Sequence, residues 1–238
     1  MPDEPDTRPP PPPGSWLRRN DGLEFDRVIF FTDAVFAIAL TLLVVQIAVP
    51  VLRVAPDKPS TMLNALSDSM PEFIGFFIAF ILIARYWMAH HLFFAQLRAV
   101  DRGLIGINLI YLAFVAFLPF PSALVGHYEQ NPISVLLFAA CLCVISGLEV
   151  VEFRHAHRAH LFRKPMPYDV YRYGVISSLS PVVLFVVTAP LAFINPTVCL
   201  LSWLLSIPIG IFLGKRAPAG LEDVMIGYES SKTKPASS

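Results

Sequence analysis

The chain has 238 residues, of which 55% are hydrophobic and only 15% charged, with a mean hydropathy of +0.60 and a formal net charge of +0. A soluble domain carries roughly 25% charged residues; here much of that share is replaced by aliphatic side chains and 19 Phe. The composition excludes a water-soluble globule, and the neutral total gives no ground for a nucleic-acid partner.

In chain order, residues 1–25 come first, acidic at the start and carrying the proline run 9–13. They cannot bury enough apolar surface to fold and are expected to form a disordered, Pro-rich segment. The basic start and immediate apolar stretch of a signal peptide are missing. Arg18 and Arg19, followed by Asn20-Asp21-Gly22, read as a topology anchor rather than a twin-arginine export signal.

Six apolar stretches follow, at 28–49, 73–94, 104–125, 133–153, 173–194 and 197–213, inside a membrane domain spanning 26–214. A bilayer core of about 30 Å needs roughly 20 residues in helical form. Backbone amides find no partner in lipid, and the alternation of barrel strands is absent, so each stretch is predicted to be a helix. The fold class is therefore all-α, a polytopic membrane protein with six transmembrane helices. Pro119, Pro121, Pro181, Pro190 and Pro208 fall within or beside the spans and are expected to kink or end them. Cys141, Cys143 and Cys199 lie in apolar runs without metal or redox spacing. Residues 215–238 form a polar C-terminal tail.

Lys and Arg set the expected orientation. Arg8, Arg18, Arg19 and Arg27 precede or open the first span; Arg98 and Arg102 separate the second and third. Arg154, Arg158, Arg163, Lys164 and Arg172 lie between the fourth and fifth, and Lys215, Arg216, Lys232 and Lys234 follow the sixth. The opposite side has only Arg53 and Lys58. The positive-inside rule then puts both termini in the cytoplasm of a cell-membrane protein.

Polar residues within spans are functional candidates because lipid makes them costly. In the first span, Asp33 lies one or two turns inside the boundary, as a packing anchor or as an ion or proton site. At roughly 100° per residue, Ile38, Leu42 and Val45 share a face with Thr41 beside them, whereas Asp33 is about 140° from Ile38. If the Ile38 face lines an opening, Asp33 points away from it, which favours the anchor.

The heptapeptide Arg27-Val-Ile-Phe-Phe31-Thr32-Asp33 resembles the R-x-x-x-F-S-D signature of the potassium channel family named transmembrane protein 175, with Thr32 in place of Ser. Trp87-Met-Ala-His90-His91, then Asp101, Asn108 and Phe117-Leu-Pro-Phe-Pro121, extend the resemblance across most of 26–126. The resemblance implies a homotetramer around a pore built from four first helices, with K⁺ as the permeant ion and no other cofactor. It also implies a hydrophobic constriction at Ile38 acting as gate and filter, with Leu42 and Val45 as further apolar rings and Thr41 offering hydroxyls. Arg27, Phe31, Thr32 and Asp33 would form the signature motif. Arg27 and Asp33 would hold the first helix against the second and third through Trp87, His90 and Asn108.

Other polar features have plainer readings. His90 and His91 are proton-sensitive candidates, with His91 read as interfacial. His155, His157 and His160 spread around a helix and read as part of a basic, headgroup-facing loop rather than a metal site. Glu149 and Glu152 are expected to pair with nearby Arg. Arg85 either answers an acid such as Glu149 or lines a water-filled vestibule. No nucleotide loop, nucleophile motif or zinc spacing is present, so no enzyme is expected. The expectation is a potassium-permeable cation channel contacting lipid and monovalent cations. The alternative is a proton-coupled or cation secondary transporter using Asp33, His90 and Asn108, although the inverted repeats common in transporters are not evident.

Overall fold

A computed structural model describes residues 22–52, 58–128 and 130–218. The proline run, Arg8, Arg18, Arg19, Arg53 and the tail from 219 onward lie outside the described residues. Among the described residues the α-helices are α1 (Gly22–Val45), α2 (Pro59–Asp68), α3 (Met70–Ala95), α4 (Arg102–Phe117), α5 (Pro119–His127), α6 (Pro132–Arg158), α7 (Tyr168–Thr188), α8 (Pro196–Ser202) and α9 (Ser206–Lys215). α1 begins at Gly22, so the last four residues of the segment assigned to 1–25 are helical.

Among the described residues six helical stretches are long and apolar enough to cross a membrane: Phe25–Val45, Met70–Ala95, Arg102–His127, Pro132–Arg158, Tyr168–Phe193 and Pro196–Lys215. They coincide with the six apolar runs of the sequence, except that the first helix stops at Val45 rather than 49. α2 is an addition: a short helix between the first two spans, with no buried residue.

Side chains and prolines punctuate these helices at both ends. Asp101 caps α4 by accepting the Leu104 N–H at 2.7 Å, and Asn131 and Asn195 do the same for α6 and α8. Proline opens α2, α3, α5, α6 and α8, where its missing N–H has no intrahelical partner to lose. Pro119 divides the third span into α4 and α5, and the Val115 carbonyl accepts from the Leu118 N–H instead, at 3.2 Å. Pro181 sits inside α7, where a regular residue would donate to the Ser177 carbonyl. The Ser180 hydroxyl donates to that carbonyl at 2.8 Å, so the proline leaves no bare acceptor in the span.

α6 is the central helix of the bundle, packed on α4, α5, α7 and α8. Fully buried Tyr111, Phe138, Leu142, Phe185 and Trp203 build the main core, and the Trp203 indole donates to Thr188 Oγ1 at 3.1 Å. A second core of Phe94, Leu97, Val100, Leu104 and Phe162 lies where loops 96–101 and 159–167 meet. Those loops are stitched together by the Arg98 N–H on the Leu161 carbonyl, the Arg163 N–H on the Gln96 carbonyl and Arg163 Nε on the Leu97 carbonyl. The α3–α4 and α6–α7 connections therefore lie on one side of the bundle.

α3 and α5 approach closely at Gly75 and Gly126. A Cβ on Gly126 would stand 3.3 Å from the Glu72 Cα, and one on Gly75 3.6 Å from the Gly126 Cα; small residues permit such contact between membrane helices. Gly126→Val is expected to destabilise the fold by about 1–3 kcal/mol through overpacking, read as a lower midpoint in detergent unfolding. Gly147→Ala, whose added methyl meets nothing within 4 Å, should leave the midpoint in place or raise it.

Candidate functional site

α1 has two faces. Thr32, Phe36, Ala39 and Leu43 recur at helical spacing and are buried against α3, α4 and α5. Phe31, Ile38, Leu42 and Val45 occupy the opposite face, where Ile38 is 58% and Val45 72% exposed. Thr41 is exposed beside them, and its hydroxyl donates to the Ile38 carbonyl at 2.9 Å. The four residues read as pore-lining thus share the side of α1 that the protomer leaves uncovered.

The buried face is held by a polar chain. Asn108, on α4, is 1% exposed, and its Nδ2 donates to Thr32 Oγ1 at 3.0 Å. Its Oδ1 lies 3.0 Å from His90 Nε2 on α3. Since the amide nitrogen faces Thr32, Oδ1 is an acceptor, which assigns the hydrogen to His90 Nε2. The His90 ring is fixed between Phe94 and Tyr111, with centroids 4.4 and 5.0 Å away. Three helices therefore meet through one carboxamide.

Asp33 is half-buried and accepts the Trp87 indole N–H at 2.9 Å. Trp87 stacks on His91, with centroids 5.5 Å apart. A cavity of about 260 Å³ opens beside this pair, lined by Asp26, Asp33, His90, His91 and Arg163 among others. On the other flank of α1 a cavity of about 340 Å³ is lined by Arg27, Phe31, Asn108 and Leu109 among others.

The signature motif therefore divides. Thr32 and Asp33 tie α1 to α4 and α3. Arg27 and Phe31 do not join them: both are exposed, and among the described residues Arg27 has no acid partner. At about 100° per residue, Arg27 and Phe31 fall on the Ile38 side of the helix, and they face α4 across the cavity they share with Asn108 and Leu109.

The remaining polar contacts follow the sequence reading in part. Asp101 both caps α4 and pairs with His155 Nε2 at 2.9 Å, whereas His157 stacks on Tyr171 at 4.5 Å. These histidines turn to different partners. Arg85 is electrostatically coupled to Glu149 and approaches Gly210 of α9. Glu152 was expected to find an arginine; its carboxylate is buried, without a hydrogen-bond partner, 3.7 Å from His90 Nε2. Arg154 and Arg158, its neighbours in sequence, leave the helix roughly 200° and 240° around from it.

Known proteins resemble this chain in sequence and in fold. A family model described as the endosomal/lysosomal potassium channel TMEM175 matches residues 27–119. A potassium channel of Streptomyces collinus is 33% identical over 144 residues, covering 58% of this chain and 68% of that protein. The chain belongs to the TMEM175 family.

The crystal structure of a lysosomal potassium-selective channel TMEM175 homologue from Chamaesiphon minutus superposes with a TM-score of 0.67 at 25% identity, covering 82% of this chain and 99% of the other. The endosomal/lysosomal proton channel TMEM175 of Gallus gallus is 28% identical over 160 residues, 65% of this chain but 32% of that protein. The family-matched region 27–119 contains all five hydrogen-bonded side chains, Thr32, Asp33, Trp87, His90 and Asn108. Glu149 and Glu152 lie outside it.

Asn108→Ala would leave Thr32 and His90 without their shared partner and is expected to cost about 1–3 kcal/mol of stability. Reversible unfolding in detergent measures it. Combined with Thr32→Val, the loss should be less than additive, because one hydrogen bond is removed by both changes.

Proposed function

We propose that the protein is a potassium-permeable cation channel of the cell membrane, working as a homotetramer in which four copies of α1 surround the pore. The observation that carries this reading is the exposed aliphatic face of α1, with Ile38 at its middle, set opposite a face fixed by Asn108 and Trp87. The names of the bacterial relatives, a potassium channel and a potassium-selective channel homologue, support the choice of ion.

In this reading Ile38 forms the narrowest ring and serves as gate and filter, with Leu42 and Val45 as wider apolar rings beyond it. Four aliphatic side chains close a narrow pore by contact or by dewetting. Thr41, whose hydroxyl donates to its own helix, keeps oxygen lone pairs for a partly hydrated cation. Such a filter favours the cation that sheds water more easily, and it does so weakly because no fixed charge lines the ring. Arg27 stands at the mouth and Asp33 holds the helix without touching the ion. The basic residues in and directly beside the two stitched loops, Arg98, Arg102, Arg163 and Lys164, support a cytoplasmic placement of that side and of both termini.

The carrier reading calls on Asp33, His90 and Asn108 as a substrate site. Each of these already has a side-chain partner: Trp87 for Asp33, and each other for His90 and Asn108, with Asn108 also bonded to Thr32. That arrangement favours an anchor over an exchanging site.

Purified protein in planar bilayers under opposed K⁺ and Na⁺ gradients is expected to give unitary currents reversing toward the K⁺ potential. Saturable, proton-dependent uptake without unitary events would favour the carrier. Ile38→Ala should raise conductance and move the reversal potential toward zero; an unchanged channel removes Ile38 from the constriction. Asp33→Ala should reduce tetramer yield or open probability, and intact tetramers altered only in selectivity would put Asp33 on the ion path instead.

A further inference from the structure

α6 carries two carboxyl groups one turn apart, facing the interior of the bundle. Glu149 is provided for: Tyr111 lies at hydroxyl-bonding distance, 3.4 Å from Oε1, and the Arg85 guanidinium acts on it electrostatically. Glu152 has neither. It is 1% exposed, and both of its oxygens lack a hydrogen-bond partner. It lines a small cavity of about 40 Å³ between α3, α6 and α7, together with His90, Phe93, Glu149, Phe153 and Ser178. Such a volume exceeds the roughly 10–15 Å³ that one water needs. The titratable groups around Glu152 are His90 from α3, Tyr111 from α4 and Glu149 from α6, while α7 contributes the uncharged Ser178 and the Arg85 guanidinium acts on Glu149 instead.

A bare carboxylate in this position would be buried unpaired beside a second carboxyl group, the costliest state available to it. A neutral carboxyl group is far cheaper. His90 does not remove the difficulty, because its Nε2 hydrogen is already donated to Asn108 Oδ1 at 3.0 Å and Glu152 Oε2 lies 3.7 Å away. That hydrogen thus has one acceptor at bonding distance and a second just beyond it. It belongs to Asn108 when Glu152 is neutral, and an ionised Glu152 competes for it.

We propose that Glu152 is a proton-binding site, distinct from the α1 face, whose occupancy is transmitted to α1 through His90, Asn108 and Thr32. Binding forms one O–H bond on the Glu152 carboxyl with a proton delivered by water, and release returns that proton to water. The proton-bound form leaves His90 to Asn108 and keeps Thr32 anchored. The proton-free form draws the His90 N–H toward Glu152 and loosens the amide that positions α1. The site itself is independent of the channel reading; its effect on conduction rests on that reading.

Infrared difference spectroscopy of the full chain in lipid nanodiscs reads the site directly. The wild type is expected to show a protonated-carboxyl carbonyl band that shifts in D2O, disappears on alkalinisation, is missing from Glu152→Gln and survives in Glu149→Gln. Should Glu152→Gln fail to fold, Glu152→Met, of similar length and apolar, supplies the same subtraction. A band unchanged by both Glu152 variants, or no such band in the folded wild type at any pH, overturns the site. For the coupling, K⁺ flux from liposomes should vary with pH in the wild type and lose that variation in Glu152→Gln; an identical pH profile in the variant overturns it. Absence of K⁺ flux from the wild type would count against the channel reading while leaving the infrared result intact.

Discussion

The carboxamide of Asn108 is the contact on which the arrangement of the bundle turns. Most contacts of α1 with its neighbours are apolar, and lipid solvates those same side chains about as well as a helix does. Apolar packing therefore discriminates poorly between one rotation of α1 and another. Hydrogen bonds discriminate well, because a bare polar group in hydrocarbon is costly. By donating to Thr32 and accepting from His90, Asn108 selects one rotation, and the Trp87 indole on Asp33 confirms it a short way around the helix. The side of α1 left bare follows from that choice.

The same medium explains the handling of the prolines. Each one in a span removes a donor, and each freed carbonyl would be stranded where water is scarce. Ser180 answers for Pro181 and Leu118 for Pro119. Asp101 joins the two problems, closing the start of α4 and holding His155 from α6. It thereby braces the pair of helices that carry Asn108 and Glu152.

Much of this was legible in the sequence because the bilayer imposes a length. Runs of about 20 apolar residues located all six spans, and helical arithmetic put Ile38, Leu42 and Val45 on one face and Asp33 on another. α2 escaped notice because ten mixed residues carry no such imposed length. The anchor was legible as residue types but not as pairs: Thr32 and Asn108 are 76 positions apart, and their meeting depends on how three helices pack. The same arithmetic places Arg27 almost over Ile38 and away from Asp33; only the resemblance groups the two. Basic residues crowd the Glu152 end of α6 and predict an arginine partner for it; their azimuths take them elsewhere, and what Glu152 meets instead depends on how the helices pack.

The uncovered face of α1 changes what a conservative substitution means. In a water-soluble protein, swapping one aliphatic residue for another on an exposed surface is nearly silent, since oiliness is what is registered there. α1 is the most apolar of the six spans and among the least covered, so an exchange of one aliphatic side chain for another leaves its oiliness nearly unchanged. What remains to distinguish Ile38 from leucine, or Val45 from isoleucine, is outline: where the branch falls and how far the chain reaches. On this surface shape is the readable variable, and the mildest exchanges in a substitution table are the ones with most to alter.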